Sequence, residues 1–188
     1  MTGAVPLRLA LLNPHAGGGR TVVYFVSSFS AGFDASVCRR ALEGPRYLTG
    51  QARYLRATLA EVATLRHWDL RILQDGMLVH EGPALFAASL NTPTFGSGMP
   101  AVPHARIDDA RLDLLVAGAF GRAGVLTMLP RLMAGRHLGD ARVFTRPYTA
   151  ASIVSRDALP LAAAGVYLGD ARAMALRVLP AALTVIGA

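Results

Sequence analysis

Apolar residues fall in short runs broken by Pro, Gly and Asp, and run length separates strands from helices. Residues 7–12 are apolar except for Arg8 and end in Asn13-Pro14, which predicts a buried strand. Residues 21–29 are β-branched and aromatic and predict another. A short helix is expected over 34–42, and a longer one over 50–66. In the second, Leu55, Leu59, Val62 and Leu65 share a face, and Thr49 is placed as its N-cap. Residues 70–73 and 77–80 flank Gln74-Asp75-Gly76, a strong hairpin signal. Further strands are expected over 85–90, 112–119, 142–145, 150–154, 165–168, 175–179 and 183–186, with an apolar helix over 123–134. The pattern predicts an α+β fold, mainly antiparallel and sandwich-like, with two or three helices.

A length of 188 residues with 53% hydrophobic and 16% charged residues supports one domain with a sizeable core, with or without a small appendage. The net charge is +7, and every basic residue is arginine. That charge is either a bias of composition or an attraction to anionic surfaces such as phosphate-bearing lipid. No block of five like charges occurs and the aromatics do not interleave with arginines, so nucleic acid is not an expected partner. Cys38 is the single cysteine, which excludes an intramolecular disulfide and fits a reducing cytoplasm, where it reads as a small buried filler. The N-terminal apolar stretch is too short for a signal peptide. No run reaches the about 18 residues that span a bilayer. The longest, over 158–169, is interrupted by Pro160 and Gly165. Membrane contact is therefore expected to be peripheral, at the inner face.

Three segments carry candidate chemistry. Asn13 to Gly19 is a strand end opening into glycines, whose N–H groups either cradle a phosphate or serve a plain connector. Asp34 follows the Gly32 turn, either as an N-cap or as a carboxylate facing a phosphate–Mg²⁺ site. Asp108, Asp109 and Asp113 lie within six residues, either as hard oxygen ligands or as a solvated turn. The five histidines have no metal-ligand spacing, and no nucleophile elbow occurs.

Taken in order, five segments resemble the diacylglycerol kinase and sphingosine kinase family of lipid kinases. NPHAGGGR resembles its first strand and nucleotide loop, and FVSSFSAGFDA the opening of its second domain. LNTPTFGSGMPAVPHARIDDARLDLLV resembles its Gly-rich and Asp-Asp-Gly-x-Leu-Asp segment. MLPRLMAGRHLGDARV resembles its Leu-Pro-x-Leu-x-x-Gly-x-His helix, and VLPAALTVIG its closing strand.

The resemblance implies two parts: 1–20 as a remnant of the nucleotide-binding domain, and 21–188 as the C-terminal lipid-kinase domain, whose last strand returns to the first. It implies γ-phosphoryl transfer from ATP to a lipid hydroxyl with Mg²⁺. Asn13, Gly17, Gly18 and Asp34 are then the nucleotide-side residues, and Asp109 with the carbonyls of Arg106 and Arg111 the metal site. The chain departs from the family in two places. No Gly-Gly-Asp-Gly-Thr motif exists, and the catalytic Asp-Gly-Glu aligns with Ala164-Gly165-Val166. The expected function is that of a lipid-kinase relative, truncated and catalytically impaired. The alternatives are a non-catalytic lipid- or partner-binding module, self-associating or not, and a half-kinase completed by a partner chain.

Overall fold

A computed structural model describes residues 4–16, 19–20, 22–45, 47–48, 50–95 and 98–186, with side chains for those between 22 and 179. Ten strands join one hydrogen-bonded sheet, and every strand pairing is antiparallel. The first four are β1 (Ala4–Ala16), β2 (Gly19–Arg20), β3 (Val23–Phe25) and β4 (Ser28–Gly32). Helices α1 (Phe33–Glu43) and α2 (Gly50–Ala63) follow, then β5 (Trp68–Gln74), β6 (Met77–Leu90) and β7 (Leu112–Gly118). After α3 (Arg122–Met133) come β8 (Val143–Tyr148), β9 (Ala150–Ala163) and β10 (Val166–Ile186). The mainly antiparallel α+β expectation holds.

The sheet is organised around one lane. β4 lies between β6 and β9, pairing Ser28–Gly32 with Leu90–Phe86 and Phe29–Ala31 with Ala163–Leu161. β5 lies between the same two strands further along, pairing Trp68 with Ala84 and Leu70 with Ser155. The two strands therefore run end to end, and α1 and α2 form an excursion that leaves the lane at Gly32 and returns at Trp68. Gly32 has φ 101°, and a Cβ there would stand 2.8 Å from the Leu85 carbonyl oxygen and 3.3 Å from the Trp68 ring. Only glycine allows the chain to turn off the sheet at this point.

Long strands replace several predicted short ones. The runs at 77–80 and 85–90 are one strand, continuous through Gly82 and Pro83. The three C-terminal runs are likewise all parts of β10, whose register with β9 shifts between Tyr167 and Gly169. The predicted strand over 21–29 is two, β3 and β4, separated by a bend at Val26-Ser27. The first strand pairs with the last as expected, Leu7 opposite Leu183 and Val5 opposite Val185.

The Asp75-Gly76 hairpin forms with left-handed φ at both residues, 47° and 83°. The Asp75 carboxylate accepts the Thr149 hydroxyl at 2.7 Å and the Ala150 N–H at 2.9 Å, so this turn is pinned to the next hairpin. Buried Gln74 adds a 2.7 Å bond from its amide to the Pro147 carbonyl. The core is centred on Phe29, Leu70, Ile72, Leu90, Leu114, Leu115 and Ile153, all nearly inaccessible.

One helix expectation is corrected. α2 ends at Ala63, and it buries only Ala57 and Val62. Leu55 and Leu59 on the predicted shared face are 52% and 50% exposed. The 3.6 spacing made the helix, which packs mainly on α1. Thr49, the expected cap, lies outside the described residues.

Gly32→Ala should cost about 3 kcal/mol, since it combines a forbidden φ with a backbone overlap. Ala164→Gly should gain about 0.5–1 kcal/mol, because Ala164 sits at φ 47° in the β9–β10 turn and pays the left-handed penalty. Urea denaturation of both variants checks the pair. Equal stability of the Gly32 variant and the parent would remove the lane argument.

Candidate functional site

The excursion roofs an apolar cavity of about 350 Å³. Its floor is β6 and β7, with Leu85, Phe86, Leu115 and Ala117. Its walls are Phe33 and Val37 of α1, Ala52, Tyr54 and Leu55 of α2, and Val125, Met128, Leu129, Leu132 and Met133 of α3. Phe95, Met99, Phe120 and Val143 close the remaining sides. Arg142 stacks its guanidinium 4.0 Å from the Phe120 ring centre, and its Nη2 donates to Asp140 at 2.8 Å, fixing the corner where β8 begins.

Among the described residues one carboxylate lines this cavity, that of Asp34. It stands in the first turn of α1, half-buried, with its residual exposure toward the cavity. Burial pushes its carboxyl up from the ordinary value, and a hydrogen bond from Ser30 partly opposes that rise. Asp34 is not the N-cap that sequence allowed: the cap residue is Gly32, and no side chain caps this helix.

One turn further on, the Cys38 thiol donates to the Gly165 carbonyl at 3.1 Å. Burial pushes this thiol up, while its hydrogen bond with the Tyr54 hydroxyl opposes the shift and the nearby Asp34 adds to it. Burial, with Cys38 alongside, also pushes the Tyr54 hydroxyl up to about 12. The Ala164-Gly165 turn is held by the Ala164 N–H donating to the Ser28 carbonyl at 2.8 Å. The structure therefore brings Asp34, Cys38 and Tyr54 together beside the turn at residues 164–166. Cys38 is the buried filler expected, with the added task of anchoring that turn.

The other sequence-derived residues lie elsewhere. Asn13 sits in β1 opposite Ala175 of β10. Gly17 and Gly18 are outside the described residues. Arg106 donates to the Asp108 carboxylate at 3.1 Å, and Asp109 accepts the Arg111 N–H at 3.0 Å, all in an exposed loop. Ala110 takes φ 62° there, where the family pattern has glycine. The Asp109 carboxylate is a hard oxygen donor of the kind Mg²⁺ takes. Among the described residues no three His, Cys, Asp or Glu side chains gather as a metal cage. Asp113 is buried, 3.7 Å from His104 Nε2, and desolvation raises its carboxyl against the opposing pull of His104.

His137 is a cavity residue that sequence spacing did not single out. Its ring is 3% exposed, and Nε2 bonds the Ala101 carbonyl at 2.7 Å. Desolvation lowers its pKa, with the Ala101 bond opposing, so the ring is neutral near pH 7. The signal available was its place in the Gly-x-His segment, which named the helix and not the pocket.

The fold is an α+β domain in which helices roof an apolar cavity on an antiparallel sheet, with one carboxylate lining it among the described residues. Residues 27–187 match the family described as the YegS C-terminal NAD kinase beta sandwich-like domain, and the chain belongs to that family. A diacylglycerol kinase of Mycobacterium tuberculosis is 31% identical over 115 residues, which are 61% of this chain and 37% of the relative. The match thus spans little more than a third of that relative's length. A diacylglycerol kinase structure from Bacillus anthracis superposes with a TM-score of 0.61 at 15% identity, covering 99% of this chain and 55% of the other. Yeast NADH kinase shares the fold at a TM-score of 0.53 and 10% identity, covering 97% and 43%.

Asp34→Asn should flatten the pH dependence of stability. The Asp34 carboxyl is raised on folding, so its contribution is most favourable below the unfolded value of 3.8 and is lost as pH rises through the folded value. The variant should therefore melt higher than the parent at neutral pH, with the gap closing in acid. His137 acts oppositely, losing stability as pH falls below its ordinary 6.5, and is common to both proteins. A difference in melting temperature that does not change with pH would show that Asp34 is not desolvated.

Proposed function

We propose that this chain is a lipid-binding module of the diacylglycerol kinase family, catalytically impaired by itself. The observation that carries the reading is the apolar cavity with Asp34 on its wall. An acyl chain fills the space between the sheet and the three helices, and the lipid hydroxyl hydrogen-bonds the Asp34 carboxylate. Placing a hydroxyl there also repays part of the desolvation that Asp34 bears.

Chemistry on that hydroxyl needs a proton acceptor and a held triphosphate. The turn at residues 164–166 offers alanine, glycine and valine. Cys38 and Tyr54 beside it both hold their protons more tightly than usual, so neither is a base near pH 7. A missing general base typically costs 10²–10⁴-fold on its own, on the order of several kcal/mol of barrier. Mg²⁺, held by Asp109 with the carbonyls of Arg106 and Arg111, would neutralise phosphate charge when bound. ATP binding at Asn13, Gly17 and Gly18 lacks the family's Gly-Gly-Asp-Gly-Thr partner.

Two measurements test the reading. A soluble short-chain diacylglycerol should bind the purified chain; Asp34→Asn should weaken binding by roughly tenfold, the value of one lost hydrogen bond to a charged group, and the cavity-filling Leu129→Trp should weaken it by occupying the space. Calorimetry with ATP and Mg²⁺ should give no heat of binding, and no phosphate should reach the lipid, even after Ala164→Asp and Val166→Glu together. Mg²⁺-dependent lipid phosphorylation by the unaltered chain would overturn the impaired reading, and unchanged lipid binding in both variants would overturn the cavity assignment.

A further inference from the structure

The cavity walls carry few polar side chains, and the hydrogens on most of them are already committed. Thr58 lines the cavity, and its hydroxyl donates to the Tyr54 carbonyl at 2.9 Å. Cys38 gives its own proton to the Gly165 carbonyl at 3.1 Å. The hydrogen bond between Cys38 and the Tyr54 hydroxyl therefore uses the tyrosine proton, and the phenolic oxygen keeps only lone pairs for a further partner. His137 meets the Ala101 carbonyl through Nε2, which then carries the ring proton. Its Nδ1 is an acceptor with no partner among the described residues. Gln51, an amide with donors to give, is exposed in the first turn of α2.

The polar end of the cavity is thus made of acceptors. Asp34 and Tyr54 both line it and both meet Cys38. Ser30 gives the Asp34 carboxylate one hydrogen bond, and the other lone pairs of that carboxylate are open to a ligand. A ligand head that enters here must bring the hydrogens. An ester carbonyl in the same place would set lone pairs against lone pairs and lose its water without replacement. The apolar space sets a second limit. At about 350 Å³ it lies at the low end of the roughly 300–1,000 Å³ spanned by ligand pockets, which suits one chain and not two.

We propose that the cavity selects a single-chain lipid whose head carries two adjacent hydrogen-bond donors, a vicinal diol or an amino alcohol, with one donor on the Asp34 carboxylate and the other on the Tyr54 oxygen. The proposal rests on the reading of the cavity as a lipid site and narrows its ligand. A diacylglycerol has one hydroxyl for Asp34 and nothing for Tyr54, and its ester oxygens stay at the rim.

The test is calorimetry of the full chain with four soluble ligands: octanol, octanediol with hydroxyls on its first two carbons, the matching amino-octanol, and dihexanoylglycerol. Octanediol and amino-octanol should each bind roughly tenfold tighter than octanol, the value of one added hydrogen bond, and dihexanoylglycerol no tighter than octanol. Tyr54→Phe should bring octanediol down to the affinity of octanol and leave octanol itself unchanged, which also reports that the variant folds. Amino-octanol above octanediol, with the gap closed by salt, identifies an ammonium facing Asp34, and the reverse order identifies a diol. Both orders uphold the proposal when each ligand exceeds octanol. Equal affinity of the parent for octanol and octanediol would overturn it, as would an octanediol advantage that survives Tyr54→Phe. In either case binding of dihexanoylglycerol leaves the cavity assignment standing. No binding of any of the four ligands would remove the cavity assignment and the proposal together.

Discussion

Everything distinctive in this fold follows from the close approach at Gly32. β4 and β5 share one lane between β6 and β9, and the lane is broken where Gly32 meets the Leu85 carbonyl and the Trp68 ring. A side chain at that position would separate β4 from β6 or push Trp68 out of its place. With glycine, the chain leaves the sheet, lays α1 and α2 over it, and returns to the lane at Trp68. A continuous strand through the lane would have left the sheet with no roof on this side and no cavity. The local conformation of one residue is thus linked directly to the volume available for a ligand.

The roof is anchored unevenly, and that unevenness has consequences. α1 is held firmly, with Phe33, Ala35, Ser36, Val37, Cys38 and Ala41 buried. The Cys38 thiol ties it to the β9–β10 turn. α2 and α3 are held by far fewer buried side chains. The Asp34 carboxylate therefore sits on the rigid wall, while the opposite walls are the ones with least packing to lose if they move. Elements with few buried apolar contacts open at the lowest free-energy cost.

The sequence was most legible where a local rule and the tertiary context agree. Asp75-Gly76 announced its hairpin because both residues tolerate φ above zero, and the structure adds the clamp on Thr149 and Ala150. The pairing of the first and last strands and the mainly antiparallel character were also readable. Strand lengths were not. Gly82, Pro83, Pro160 and Gly169 punctuate the chain as if they ended strands, yet β6, β9 and β10 run through them. There the neighbouring strands, and the register shifts recorded near several of them, outweigh local propensity. Leu55, Leu59 and Val62 share a helix face as the spacing predicts, while Leu65 lies beyond the helix; Val62 is buried and the two leucines are half exposed, because periodicity gives a face but not what covers it. Of the site, Asp34 was visible through its motif, whereas its place on a cavity wall depends on β6, β7 and α3, all remote in sequence.

The departures from the family pattern have a physical signature of their own. At Ala110 and Ala164 the backbone keeps a left-handed φ, 62° and 47°, with an alanine that gains nothing from it. Glycine, asparagine and aspartate adopt that region at lower cost, and aspartate or glycine is what the family pattern has at these two places. The turn geometry has thus outlasted the residue types that suit it. At Ala164 the strain is tolerated because Ser28 and Cys38 bond the turn on both sides, through its N–H and through the Gly165 carbonyl. These two bonds hold the β9–β10 turn between β4 and α1 without a carboxylate at residue 164.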